Sequence, residues 1–288
     1  MFCYDKLLRK GGVWALAATL LLSVSLAHAQ GGFIAGLNVE LDSADGRAAG
    51  GFLDYGFTDS TWLSIGLART NTGGPLGGLE TLYADTALEQ SFGAFGIRAA
   101  AAYWGDDEIL DSNDGRISAF YRGERASISI DYERRSFDFV IEPLLTDRPD
   151  RTVEFTADGI GGVGRLRTGD KTSLFASGMA YDYSRDIRLT DNIDTLRFLS
   201  SSRLSLMNSL VDYRFNVGFD YSIGQHTVDL SFSQWQTAID GSRVNSIAIG
   251  LLTPAGYNSD FDLRLAFDES ETFGSTVALA IGLYFFGA

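Results

Sequence analysis

Residues 211–221 read as two interleaved sequences. Val211, Tyr213, Phe215, Val217, Phe219 and Tyr221 alternate with Asp212, Arg214, Asn216, Gly218 and Asp220. A period of two sends successive side chains to opposite faces of a pleated strand, so one face is apolar along its whole length and the other is polar. The pattern recurs. Val228, Leu230 and Phe232 alternate with Asp229, Ser231 and Ser233, and Phe261, Leu263, Leu265 and Phe267 with Asp262, Arg264, Ala266 and Asp268. Near the C-terminus Val277, Leu279, Ile281, Leu283 and Phe285 share one face, opposite Thr276, Ala278, Ala280 and Gly282. Beyond residue 29 no run is long and apolar enough for a membrane helix. Two architectures accept such rows: a soluble sandwich, with its apolar faces inward, and a membrane barrel, with its apolar face on lipid.

Connection lengths separate the two. About fourteen strands are expected, starting near Phe33, Arg47, Trp62, Thr81, Gly93, Arg116, Ala126, Thr152, Ser173, Ser209, His226, Val244, Ser259 and Ser275; twelve to sixteen fit the pattern. One set of alternate connections is uniformly short: Thr58–Thr61, Gln90–Phe92, Gly123–Arg125, Thr168–Lys171, Ser222–Gln225 and Thr253–Asn258. The other set holds Thr70–Gly78, Gly105–Asp114, Arg134–Asp150 and Ser184–Asn208. A sandwich has no reason to alternate its loops. An up-and-down transmembrane barrel does, with short turns on the periplasmic side. Aromatics on the apolar rows sort the same way: Phe33, Phe57, Tyr121, Tyr221 and Phe285 fall at the short-turn ends, and Tyr103, Tyr132 and Phe267 at the others. Two girdles of rings at the lipid–water boundaries are expected of a barrel. The fold expected is therefore all-β: a closed antiparallel barrel spanning a membrane.

Two strands resist this reading. Strand eight offers Val153, Phe155 and Ala157 as a lipid row, then enters Gly159-Ile160-Gly161-Gly162, where a bulge or register change is expected. In strand nine Leu174, Ala176 and Ala180 compete with Phe175, Met179 and Tyr181 for the lipid face.

The first residues belong to a different device. Lys6, Arg9 and Lys10 precede an apolar run from Val13 to Leu26 and then Ala27-His28-Ala29, the pattern of a cleaved secretory signal. Residues 1–29 are read as that signal and 30–288 as one barrel domain. The chain has a formal net charge of −14, and leaving out Asp5, Lys6, Arg9 and Lys10 makes it −16. Such acidity argues against a nucleic-acid partner, since binding there depends on neutralising phosphates. The single cysteine, Cys3, lies in the signal, so an exported domain without disulfides must be held by a core or a closed sheet.

The closing Gly282-Leu283-Tyr284-Phe285-Phe286 on an alternating strand resembles the C-terminal signature of outer-membrane barrel proteins. The resemblance implies recognition by the barrel-insertion machinery of Gram-negative bacteria through the strand ending at Phe286. In size the chain is similar to monomeric porins of about fourteen strands. That likeness implies passive passage of small hydrophilic solutes, through a barrel in contact with lipid and lipopolysaccharide.

The polar rows supply the candidate pore lining. Acidic positions are Glu40, Asp54, Asp85, Glu89, Asp131, Glu154, Asp212, Asp220, Asp229 and Asp262, and basic ones are Arg98, Arg116, Arg122, Arg214 and Arg264. Facing rows of opposite charge would set a transverse field across a pore; paired across strands, the same residues would stabilise the wall. Small residues at Ala87, Ala100, Ala102, Gly218, Ala248, Gly250, Ala278 and Ala280 leave room for water. An enzyme is disfavoured: past the signal the one histidine, His226, stands beside a turn with only Ser222 near it. No cofactor motif is present. Asp111-Ser112-Asn113-Asp114-Gly115 reads as a plain turn, short of a calcium loop's spacing, and Asp268, Glu269 and Glu271 as an acidic external loop. A structural or export-associated barrel is the alternative to a channel.

Overall fold

The computed structural model describes residues 32–72, 79–106, 110–141, 151–185, 210–272 and 274–287. The signal reading falls outside them. Fourteen strands follow one another: β1 (Phe33–Asp42), β2 (Arg47–Thr58), β3 (Thr61–Thr72), β4 (Leu79–Phe92), β5 (Phe95–Gly105), β6 (Leu110–Arg122) and β7 (Ala126–Ile141), then β8 (Arg151–Arg167), β9 (Thr172–Tyr183), β10 (Val211–Ile223), β11 (His226–Thr237), β12 (Arg243–Gly256), β13 (Ser259–Ser270) and β14 (Gly274–Gly287). Each pairs antiparallel with its neighbours in sequence. β1 pairs with β14, from Phe33 opposite Gly287 to Asp42 opposite Ala278, and so closes the sheet into a barrel with no free edge.

The register fixes which way each row points. Leu37, Ile130 and Ile160 face outward with exposures of 58, 66 and 69%, and the outward rows of the other strands are apolar too. A band of exposed Leu, Ile, Val and Phe around the whole circumference would drive association in water; against hydrocarbon it is the stable arrangement. The aromatics expected at the strand ends mostly lie there on outward positions: Phe33, Tyr121, Tyr221 and Phe285 at one end, Tyr103 and Phe267 at the other. Tyr132 also faces out but stands mid-strand, because β7 continues to Ile141. Phe57 also faces out, at the register shift that ends β2.

All connections at one end are short, and two carry a glycine at positive φ, Gly93 at 66° and Gly224 at 63°, where a side chain would strain the tight turn. The opposite end is less uniform than expected. β6 begins at Leu110, so Asp111–Gly115 is strand rather than a turn, and β7 runs on to Ile141 through the first part of what was read as loop. Asp268 likewise lies in β13, on the inward row, not in a loop. The long connections that remain span residues 142–150 and 184–210.

The β7–β8 hairpin reverses its polarity along its length. Nearer the short turns the outward pairs are Ile130 with Gly162 and Tyr132 with Ile160, while Asp131 and Glu133 point inward. Farther on the outward pairs are Ser136 with Thr156 and Asp138 with Glu154, and Phe137 stands opposite Phe155 on the inside. Arg134 and Asp158 mark the changeover, 3.4 Å apart, and Tyr132 Oη donates to Asp158 at 2.6 Å. Past this point the outward row is polar and the inward row is packed, so Val153, Phe155 and Ala157 face inward. Glu154 therefore faces out, contrary to its reading as a lumen residue.

The glycine run of β8 does not break the ladder: pairing with β7 and β9 continues unshifted through Gly159–Gly164. A Cβ on Gly161 would lie 2.2 Å from the Gly178 carbonyl and 2.8 Å from Met179 Sδ, and one on Gly159 would lie 2.6 Å from the Tyr181 ring. The glycines thus make room for large inward side chains on β9. That settles strand nine, with Leu174, Ala176 and Ala180 outward and Phe175, Met179 and Tyr181 inward.

Candidate functional site in the barrel interior

Thirteen of the fifteen candidate residues lie on inward rows: Glu40 on β1, Asp54 on β2, Asp85 and Glu89 on β4, Arg98 on β5, Arg116 and Arg122 on β6, Asp131 on β7, Arg214 and Asp220 on β10, Asp229 on β11, and Asp262 and Arg264 on β13. Asp212 sits where β10 shifts register between Val211 and Tyr213, outside the regular alternation. Glu154 is on the outer surface.

Sequence reading missed several inward charges. Asp114, Glu133 and Arg135 lie on β6 and β7, the first in a stretch taken for a turn. Arg165 follows the glycine run and faces inward on β8. Strict alternation carried back from Arg116 would have found Asp114, and carried on from Asp131 would have found Glu133 and Arg135.

These charges pair within the wall. Arg122 meets Glu89 across the intervening β5 through two contacts, one at 2.9 Å, and Arg98 lies 3.9 Å from the same carboxylate. Arg116 Nε donates to Glu133 at 2.8 Å. Arg135 lies 3.2 Å from Asp114 and 3.6 Å from Glu133, with its guanidinium 4.7 Å from the Phe137 ring centre. On the other side Arg165 meets Asp220 at 2.7 Å across β9, and Arg264 meets Asp229 at 3.2 Å across β12. Of the two readings of the charge rows, wall pairing is the one the distances support. The two diagonal bridges, each spanning a whole strand, fasten the β9 and β12 regions of the sheet from within.

Against the β4–β8 wall lies a cavity of about 630 Å³, lined by the arginines and carboxylates of β4–β7 together with Tyr83, Trp104, Phe120 and Tyr181. Toward the long loops it meets an apolar cluster. Trp104, Leu110, Phe137, Phe155 and Ala157 project inward from the strands, joined by Leu210 and Ile239 from the adjoining loops. The Phe137 and Phe155 rings stack with centres 4.8 Å apart. Ala238 N–H donates to the Leu210 carbonyl at 2.7 Å, tying the two loop segments together over this quadrant of the mouth.

His226 lies at the short-turn end, exposed, with Nδ1 2.7 Å from Thr253 Oγ1. Among the described residues no carboxylate lies within ion-pair distance of it to complete a triad with that hydroxyl. Among the described residues no group of three His, Cys, Asp or Glu side chains is placed to hold a metal ion.

No protein-family model matches the sequence, and a search of curated proteins finds no match. Solved structures do match. The CymD monoaromatic hydrocarbon channel aligns with a TM-score of 0.56 at 10% identity, over 91% of this chain and 89% of that one. Outer-membrane expressed OmpT of Vibrio cholerae gives 0.51 at 8% identity, over 91% and 99%. The NanC porin gives 0.50 at 8%, over 87% and 98%. At such identities the likeness is one of fold, and the fold is that of the porin-type outer-membrane barrels.

Proposed function

We propose that this barrel is a non-catalytic passive channel for small hydrophilic solutes in the outer membrane of a Gram-negative bacterium. One observation carries the reading: apolar side chains cover the outside of the closed sheet, while its inside presents paired charges around a cavity of about 630 Å³. Fourteen strands enclose more space than side chains of this size fill, and water is the natural occupant of a charged lumen. In this reading the short turns face the periplasm and the long connections face outward, against lipopolysaccharide. The strand ending at Phe286 is what the insertion machinery engages.

The test is reconstitution. Purified, folded protein in planar bilayers is expected to show stable single-channel conductance. Folded protein that conducts nothing would favour a structural or export-associated barrel, a reading to which the apolar cluster in the mouth lends some support.

A further inference from the structure

We infer that the cavity on the β4–β8 wall is a binding subsite for a small zwitterion of the amino-acid type, an inference that rests on the passive-channel function proposed above.

The ion pairs of the lumen are lopsided. Glu89 and Glu133 have side-chain exposures of 7 and 5%, whereas their partners Arg98, Arg116 and Arg122 stand at 39, 42 and 57%. Outside the barrel the pairs are even: Arg134 and Asp158 are at 57 and 45%. In the cavity the carboxylates are sunk into the wall and the guanidinium groups lie over them, facing the solute. A buried carboxylate is closed to contact by a passing cation. An exposed guanidinium with N–H groups to spare binds a carboxylate by charge-assisted hydrogen bonds.

Two acids stand apart from this arrangement. Asp85 on β4 lies opposite Ala102, and Asp131 on β7 lies opposite Ser118. Among the described residues neither has an arginine within ion-pair distance; Asp131 accepts from Ser129 Oγ at 3.3 Å, and the side chain of Asp85 lies over the bare Cα of Gly66. They flank β5 and β6, the strands that carry Arg98 and Arg116. Across four adjacent strands the inward rows therefore carry Asp85, Arg98, Arg116 and Asp131 at staggered heights, over small residues at Ala100, Ala102 and Ser118. Asp131 is level with Arg98 across Ser118, and Asp85 stands one inward position beyond Arg116. Arg135 is only 7% exposed and held by two acids, so it adds nothing a solute can touch. Arg214 reaches the same cavity from β10.

Five arginines and five carboxylates line the cavity, so their formal charges cancel. A simple cation or anion gains little from that balance. A molecule with a carboxylate and an ammonium gains from both parts: the guanidinium groups take one end and Asp85 or Asp131 the other. The volume suits a small organic solute with its water.

Proteoliposomes test this by tracer flux of alanine, glycerol and acetate. Alanine flux is expected to saturate while glycerol flux rises linearly with concentration. The double variant Asp85→Asn, Asp131→Asn is expected to raise the half-saturating alanine concentration at least tenfold and, because it leaves five arginines against three carboxylates in the cavity, to speed acetate rather than slow it. Because neither aspartate holds an arginine, the variant should fold, and the mobility difference between unboiled and boiled samples checks that it does. Alanine flux as linear as that of glycerol, or an unchanged half-saturation in the folded variant, overturns the subsite and leaves the channel standing. A barrel that passes none of the three solutes removes the channel reading and the subsite with it.

Discussion

Glu89 on β4 and Arg122 on β6 join hands across β5, with Nη2 2.9 Å from Oε2 and a second contact between Nη1 and Oε1. A bidentate bridge over an intervening strand ties three strands by side chains as well as by the backbone ladder. Glu89 is almost wholly buried, and Arg122 is more than half exposed. Replacing the acid strands a guanidinium, and replacing the base leaves a buried carboxylate with Arg98 alone beside it, at 3.9 Å. Arg122→Ala is therefore expected to destabilise more than Glu89→Gln, each by about 1–3 kcal/mol after allowing for the solvent around the arginine. The measurement is the midpoint of urea unfolding from lipid vesicles. No effect from either variant would mean that the bridge is idle, and equal effects would mean that burial of Glu89 adds nothing to its cost.

The apolar cluster in the mouth invites a cavity-forming change. Phe137 is 1% exposed and stacks on Phe155. Phe137→Ala is expected to cost about 3 kcal/mol and to enlarge the opening. In bilayers the variant should conduct more than the parent, and unchanged conductance would show that solutes pass elsewhere in the lumen.

Membrane depth gives a graded prediction along one hairpin. Ile130 faces outward in the apolar band, whereas Glu154 faces outward beyond the Arg134–Asp158 changeover. Ile130→Arg is expected to cost about 2–4 kcal/mol and Glu154→Arg close to nothing. Similar penalties at the two sites would place the lipid boundary elsewhere.

Closure of the sheet predicts resistance to detergent. Unboiled protein should migrate differently from boiled protein on a denaturing gel, because unzipping β1 from β14 needs heat. Identical mobility, with recovery in the soluble fraction, would contradict a membrane barrel.

The strands were legible because alternation and turn spacing are local. The starts expected at Phe33, Arg47, Ala126, His226 and Ser259 coincide with those of the structure. Glu154 was misplaced because period two says only that Val153 and Phe155 share a face, not which solvent lies behind it. That depends on height above the membrane, a property of the assembled barrel. The register of β9 was hidden for a related reason: Gly159 and Gly161, one strand away, decide that Tyr181 and Met179 fit inside. The charge pairs were harder still. Arg122 and Glu89 are 33 residues apart and two strands distant, so only closure with its register brings them together.

The reversal within the β7–β8 hairpin acts as a waterline. Sinking the barrel by one residue pair would draw Ser136 and Thr156, then Asp138 and Glu154, toward hydrocarbon; raising it would lift Tyr132 and Ile160 into water. With a rise of about 3.3 Å per residue along a tilted strand, either displacement meets a penalty within a few ångströms. This side of the barrel is thereby moored at a fixed height, and a bilayer of different thickness would have to bend to meet it.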